Sequence, residues 1–107
     1  MDPVKEFHQQ NKKHISNMGA DQALQKKTKD WFNHASQHEY SYHFEWMGRP
    51  IIQFPQDMVA MQEIIWSVKP DIIVETGIAH GGSLIFHASM MEMMRLPGMV
   101  LGIDIDI

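Results

Sequence analysis

Asp71-Ile72-Ile73-Val74-Glu75-Thr76-Gly77-Ile78-Ala79-His80-Gly81-Gly82-Ser83 decides how the chain folds. Asp71–Glu75 is a short, β-branched apolar run, the composition of a strand buried on both faces of a parallel sheet. Gly77, Gly81 and Gly82 follow at once, and Ser83–Arg95 reads as an apolar helix stopped by Leu96-Pro97-Gly98. A second strand of the same kind, Met99–Ile103, delivers Asp104 at its carboxyl end. Strand, glycine loop, helix and strand make a βαβ unit, predicted to be parallel and right-handed.

Upstream, Pro55-Gln56-Asp57 opens another helix, with proline suited to a first turn and Asp57 to the positive end of the helix dipole. Met58, Met61, Ile65 and Val68 form its stripe, broadened by Val59, Ile64 and Trp66. Lys69-Pro70 ends it, because proline disfavours helical geometry in the residue before it. Further back, Val4, Phe7, Ile15 and Met18 give a weak 3.6-residue stripe across Pro3–Met18, with Gly19 as a stop. A second stripe runs through Ala20, Leu24, Thr28, Trp31 and Ala35, so two surface helices are expected, each with one buried face. From Glu39 the period becomes two: Tyr40, Tyr42, Phe44 and Trp46 share one side of an extended segment before Gly48-Arg49-Pro50 turns the chain back. That aromatic side is expected to pack on a core. The expected organisation is a helical N-terminal extension over 1–45 and the start of an α/β domain over 46–107.

The chain has 107 residues, 44% of them hydrophobic, with no cysteine and ten methionines. That is one small globular domain at most, with no disulfide, thiolate zinc site or cysteine nucleophile. No apolar run approaches the roughly 20 residues of a membrane span, and no signal pattern opens the chain, so a cytoplasmic protein is expected. The net charge of −4 speaks against a nucleic-acid partner. It arises wholly within 46–107, since Lys 5, 12, 13, 26, 27 and 29 balance the acids at 2, 6, 21, 30, 39 and 45. His34 and His38, at i and i+4, would share a helix face, yet no HExxH or His-x-Asp pattern accompanies them. No metal site is assigned. Met90, Met91, Met93 and Met94 are assigned to packing, which thioethers do well.

A βαβ unit places its ligand at the carboxyl ends of the strands, beside the first helix N-terminus. Glycines there permit tight turns and close approach of backbone N–H groups. Asp104 lies where a carboxylate can accept both hydroxyls of an adenosine ribose, so a nucleoside-containing cofactor leads. Gly77-x-Ala79-x-x-Gly82 with Asp104 passes as a degenerate dinucleotide fingerprint, which keeps NAD in view. Glu75, two residues before Gly77, separates the cases. A pyrophosphate is repelled by that carboxylate, whereas the sulfonium and ammonium of S-adenosylmethionine are attracted to it.

Trp46–Asp57, then Val74-Glu75-Thr76-Gly77-Ile78-Ala79-His80-Gly81-Gly82-Ser83, then Gly102–Ile107, strongly resemble the cephalosporin hydroxylase family, which includes rhamnosyl O-methyltransferases. The resemblance covers about 40–107 well and the N-terminal helices loosely. It implies an S-adenosylmethionine-dependent methyltransferase with a Rossmann-like fold, and cofactor-loop and ribose positions at Glu75, Thr76, Gly77, Gly81, Gly82, Ser83 and Asp104. A methyltransferase of this kind needs about seven strands and roughly 200 residues or more. The chain therefore reads as N-terminal helices plus the first βαβ unit of such a sheet, apparently truncated. Magnesium in full-length relatives is implied, with its ligands and the acceptor pocket on later strands outside this sequence. No catalytic residue is named, and Asp106 is read as a solvated strand-end acid. The implied reaction is methyl transfer to a hydroxyl of a sugar or small metabolite. A non-catalytic nucleoside-binding half-domain is the alternative, followed by an NAD-binding fragment. Self-association through exposed sheet edges is expected.

Overall fold

The computed structural model describes residues 2–106, which fall into two units that divide between His38 and Glu39. In the first, α1 (Pro3–Ala20) and α2 (Gln22–Ser36) are joined at Asp21. Asp2 caps α1 by accepting from the N–H groups of Val4 and Lys5, and Asp21 caps α2 by accepting from Leu24 N–H at 3.0 Å. Thus α1 runs past Gly19 and stops where the next cap begins, because a carboxylate satisfies free amide donors that glycine cannot. Neither helix contains a buried residue. The expected buried faces are corrected: Val4, Phe7, Ile15, Met18 and Trp31 are exposed.

The second unit opens with a 3-10 turn at Tyr40–Tyr42, entered through Glu39 at φ +52°. This corrects the extended reading of the aromatic segment. The turn's i to i+3 bonds, Tyr42 N–H to Glu39 O and His43 N–H to Tyr40 O, break the period of two and leave Tyr42 exposed. Only Phe44–Trp46 is a strand, β1, paired antiparallel with β2 (Arg49–Ile51). Met47 and Gly48 form the two-residue turn, with φ of +50° and +82°. Positive φ at both positions matches the right-handed twist of a hairpin.

Next come α3 (Pro55–Val68), β3 (Ile72–Thr76), α4 (Gly82–Met93) and β4 (Met99–Ile103). Strands β3 and β4 are parallel, with Ile72 beside Met99 and Thr76 beside Ile103. The expected βαβ unit is present. Its helix starts at Gly82 and ends at Met93, two residues short of Arg95, which adopts φ +55°. Lys69 at φ +48° closes α3 with its N–H on Ile65 O.

The core joins Ile51, Ile65, Phe86 and Met90, with Phe44, Trp46, Met58, Met61, Ile73, Met94 and Leu96 packed against it. Ile51 is only 1% exposed, and burying such side chains stabilises by about 1.5–3 kcal/mol each. Trp46 meets Phe86 edge-on at 4.9 Å between ring centroids and donates its indole N–H to Ser89 Oγ at 3.0 Å. Met90, Met91 and Met94 pack as expected, whereas Met93 points outward. On α3 only Ile65 is buried; Val68, Val59, Ile64 and Trp66 are exposed.

Both strands alternate in burial, which corrects the expectation of strands buried on both faces. Ile73, Glu75, Val100 and Gly102 lie on the more buried face, while Ile72, Val74, Met99, Leu101 and Ile103 are 46–63% exposed on the other. Among the described residues of the second unit no element covers that second face. No helix among them is long and apolar enough to cross a membrane.

Candidate functional site

Parallel pairing brings Glu75, Thr76, Gly77 and Asp104 to one edge, where the chain leaves β3 and β4 at their carboxyl ends. Gly77 and Gly81 adopt φ of +77° and +86°, the left-handed region that glycine enters without Cβ strain. Ala79 enters it as well, at +45°. Asp104 ties this loop to its own strand: Oδ2 accepts from Ile78 N–H at 2.8 Å and Oδ1 from Asp106 N–H at 3.1 Å. The Asp106 and Ile78 amides hold its carboxyl below the usual carboxylate range. Asp104 remains partly open to solvent, and the amides of Ile105 and Ala79 act on its carboxyl in the same sense.

The loop's backbone donors divide into two sets. Gly77 N–H donates to Ile103 O, Ile78 N–H to Asp104, and Gly81 N–H to Ile78 O, so these three are engaged internally. Helix α4, in contrast, starts from Gly81 with no side-chain cap. Its first turn therefore presents N–H groups and a positive dipole end suited to a ligand carboxylate. Gly82 begins that turn, and a Cβ there would strike the carbonyl oxygen of Pro50, so β2 crosses directly over the helix start.

Glu75 projects to the α4 side of the sheet with 18% of its side chain exposed. Its Oε1 lies 3.8 Å from Nε2 of His87, which is 5% exposed and also 3.4 Å from Ser83 Oγ. Burial pushes His87 below its ordinary value, partly offset by the Glu75 carboxylate. Three buried polar side-chain atoms among the described residues have no partner: Gln53 Oε1, Glu75 Oε2 and His87 Nδ1. An unpaired buried polar atom costs about 1–3 kcal/mol. Glu75, Gln53, Gly77, Gly82 and Ser83 line a cavity of about 90 Å³, and Arg49, Ala79, His80 and Asp106 help line a wider recess of about 340 Å³.

All the residues expected at the site thus gather at the β3–α4–β4 edge: Glu75, Gly77, Gly82 and Ser83 at the cavity, Gly81 at the recess and helix start, Thr76 at the end of β3, and Asp104 under the loop. Sequence reasoning passed over Gln53 and His87. Their signals were a lone amide inside Pro50-Ile51-Ile52-Gln53-Phe54-Pro55 and a lone imidazole inside Leu84-Ile85-Phe86-His87-Ala88. Among the described residues no group of three or more His, Asp or Glu is placed to hold a metal ion. His34 and His38 lie 5.9 Å apart as rings.

A parallel βαβ unit with a left-handed glycine loop, an uncapped helix start and an acid at each strand end defines an α/β protein of the Rossmann-like kind. The chain belongs to the family Rhamnosyl O-methyltransferase/CmcI, whose pattern matches residues 38–107. The rhamnosyl O-methyltransferase of Mycobacterium leprae (strain TN) is 37% identical over 61 residues, which are 57% of this chain and 27% of that protein. A solved structure described as cmcI-N160 SAH superposes with a TM-score of 0.58 at 30% identity, covering 60% of this chain and 33% of that one. The chain spans about a quarter to a third of the length of these relatives.

Proposed function

We propose that residues 46–107 are the cofactor-binding start of an S-adenosylmethionine-dependent O-methyltransferase whose acceptor is a hydroxyl of a sugar or small metabolite. The observation that carries this reading is Asp104. It sits at the carboxyl end of β4, bound to the loop through Ile78 N–H and partly open to solvent, at the place where a βαβ unit holds a ribose. The relatives support the choice of cofactor, since the solved neighbour carries SAH, S-adenosylhomocysteine, in its description.

The residues present fit that molecule. Asp104 would accept from the ribose hydroxyls, and the uncapped first turn of α4, at Gly82 and Ser83, would receive the carboxylate. Glu75 would face the cationic groups, while Gly77 and Gly81 hold the loop in the left-handed geometry that Thr76 leads into. When bound, S-adenosylmethionine supplies an electrophilic methyl group on a sulfonium. The share of this chain is orientation and charge placement; neither a general base nor a magnesium ligand is assigned to it. A cytoplasmic setting suits that cofactor, an intracellular metabolite.

Calorimetric titration with S-adenosylmethionine and with NAD tests the proposal. Asp104→Ala should weaken S-adenosylmethionine binding about ten- to a hundredfold, as loss of charge-assisted hydrogen bonds does. Glu75→Gln keeps shape and removes charge, so it should weaken the sulfonium ligand and leave NAD affinity unaltered. If the parent binds NAD more tightly than S-adenosylmethionine, the proposal fails.

A further inference from the structure

The six lysines of the first unit, at 5, 12, 13, 26, 27 and 29, stand against four acids, Asp2, Glu6, Asp21 and Asp30, so residues 1–38 carry +2. Residues 39–107 hold three basic and nine acidic residues and carry −6. Asp2 and Asp21 are engaged as helix caps, whereas all six lysines are exposed and none forms an ion pair among the described residues. The same unit keeps apolar side chains in solvent. Val4, Phe7, Ile15 and Met18 fall on one face of α1 and are 58–69% exposed. Lys5 and Lys12 border that face, where their stems can lie along it with the ammonium groups raised. On α2, Leu24, Trp31 and Ala35 share a face, with Lys27 at its border and Lys26 and Lys29 opposite. Helices that are polar overall, basic on one side and apolar on the other suit the boundary between lipid headgroups and acyl chains. Neither is long and apolar enough to cross a membrane. The family pattern matches from residue 38, beyond both helices, so the family's chemistry does not account for this surface.

We propose that α1 and α2 dock the chain on an anionic lipid bilayer surface, with lysines among the headgroups and the apolar faces at the acyl boundary. Charge selects this occupant, since the unit with the open helix faces is cationic and the rest of the chain anionic. A nucleic-acid strand would satisfy the lysines but leave the apolar face of α1 in water. The unit also lacks arginine, the side chain that pairs with phosphate bidentately. The docking stands independently of the cofactor reading.

Flotation of the whole 107-residue chain with vesicles of phosphatidylcholine, alone or mixed equally with phosphatidylglycerol, tests it. The chain should bind the mixed vesicles, leave the neutral ones unbound, and come off as salt rises from about 0.1 M to about 0.5 M. Lys26→Gln, Lys27→Gln and Lys29→Gln combined should weaken binding about a hundredfold, at about fivefold per lysine. Phe7→Ser with Ile15→Ser leaves the charge unaltered and should weaken binding about tenfold or more. These five side chains are exposed, so circular dichroism should show parent-like helix in both variants. Equal binding to both vesicles, or unchanged vesicle binding by the apolar variant, overturns the docking. If that variant loses self-association instead, a second copy covers the face and the lipid docking falls. Tighter binding to single-stranded DNA than to the mixed vesicles overturns it in favour of a nucleic acid. A parent that binds neither vesicle overturns it without any variant.

Discussion

Glu75 and His87 face each other 3.8 Å apart on the α4 side of the sheet, and burial works against the charged form of His87. Desolvation holds His87 below its usual 6.5, with Glu75 acting in the opposite sense. As pH falls through 6.5 the unfolded chain takes up this proton while the folded chain resists until a lower pH. The unfolded state then binds more protons, so the stability linked to His87 is full above 6.5 and declines below it. Denaturant unfolding at about pH 7.5 and about pH 5.5 should show the parent losing more stability than His87→Phe, which cannot titrate. Equal losses in the two proteins would refute this account of His87. Asp104 has its own window. The amides of Asp106 and Ile78 hold its carboxyl below 3.8, so its contribution is complete above that pH and lost only in stronger acid.

At the scale of elements, two glycines set how closely the βαβ unit closes, and they should differ in tolerance. A Cβ on Gly98 would strike the Asp71 carbonyl oxygen, a backbone atom, at the entrance to β4. A Cβ on Gly102 would meet Leu84 Cδ1 at 2.6 Å and Ile78 Cγ2 at 2.7 Å, which are ends of side chains that can turn aside. Gly98→Ala should therefore cost about 1–3 kcal/mol or more, and Gly102→Ala should cost less. Thermal unfolding of both variants checks the order; a larger loss at Gly102 contradicts it. The βαβ unit was legible in sequence because its signals agree: β-branched runs, a glycine loop, then an apolar helix ended by Leu96-Pro97-Gly98. The hairpin was not fully legible. Its second strand is three residues with a proline inside, and Met47 holds a left-handed φ that its identity does not announce. The 3-10 turn was hidden by aromatics whose alternation mimics a strand. For the site, Asp104 and the glycines could be read from spacing within one motif. Gln53 could not, because it reaches the Glu75 cavity only through the fold.

On the scale of the whole molecule, the second unit carries an open apolar sheet face, and β3 and β4 form a two-stranded sheet among the described residues. Such sheets are weak, and unpaired edges beside exposed Ile, Val and Leu favour association. Size-exclusion chromatography with light scattering should therefore show a mass above 12.4 kDa that rises with concentration. A monodisperse monomer with a sharp unfolding transition would remove that expectation. The strands whose β-branched apolar composition marked them as buried on both faces are half-open for the same reason: α4 covers one side, and no described element of the second unit covers the other. The central claim, that the β3–α4–β4 edge holds an S-adenosyl cofactor, is tested most directly by amide NMR during titration with S-adenosylhomocysteine. The amides of residues 77–83 and 104–106 should shift first and furthest, saturating together. Shifts scattered over the molecule while Ile78, Gly82 and Ser83 stay unmoved, or no shifts at all, would contradict it.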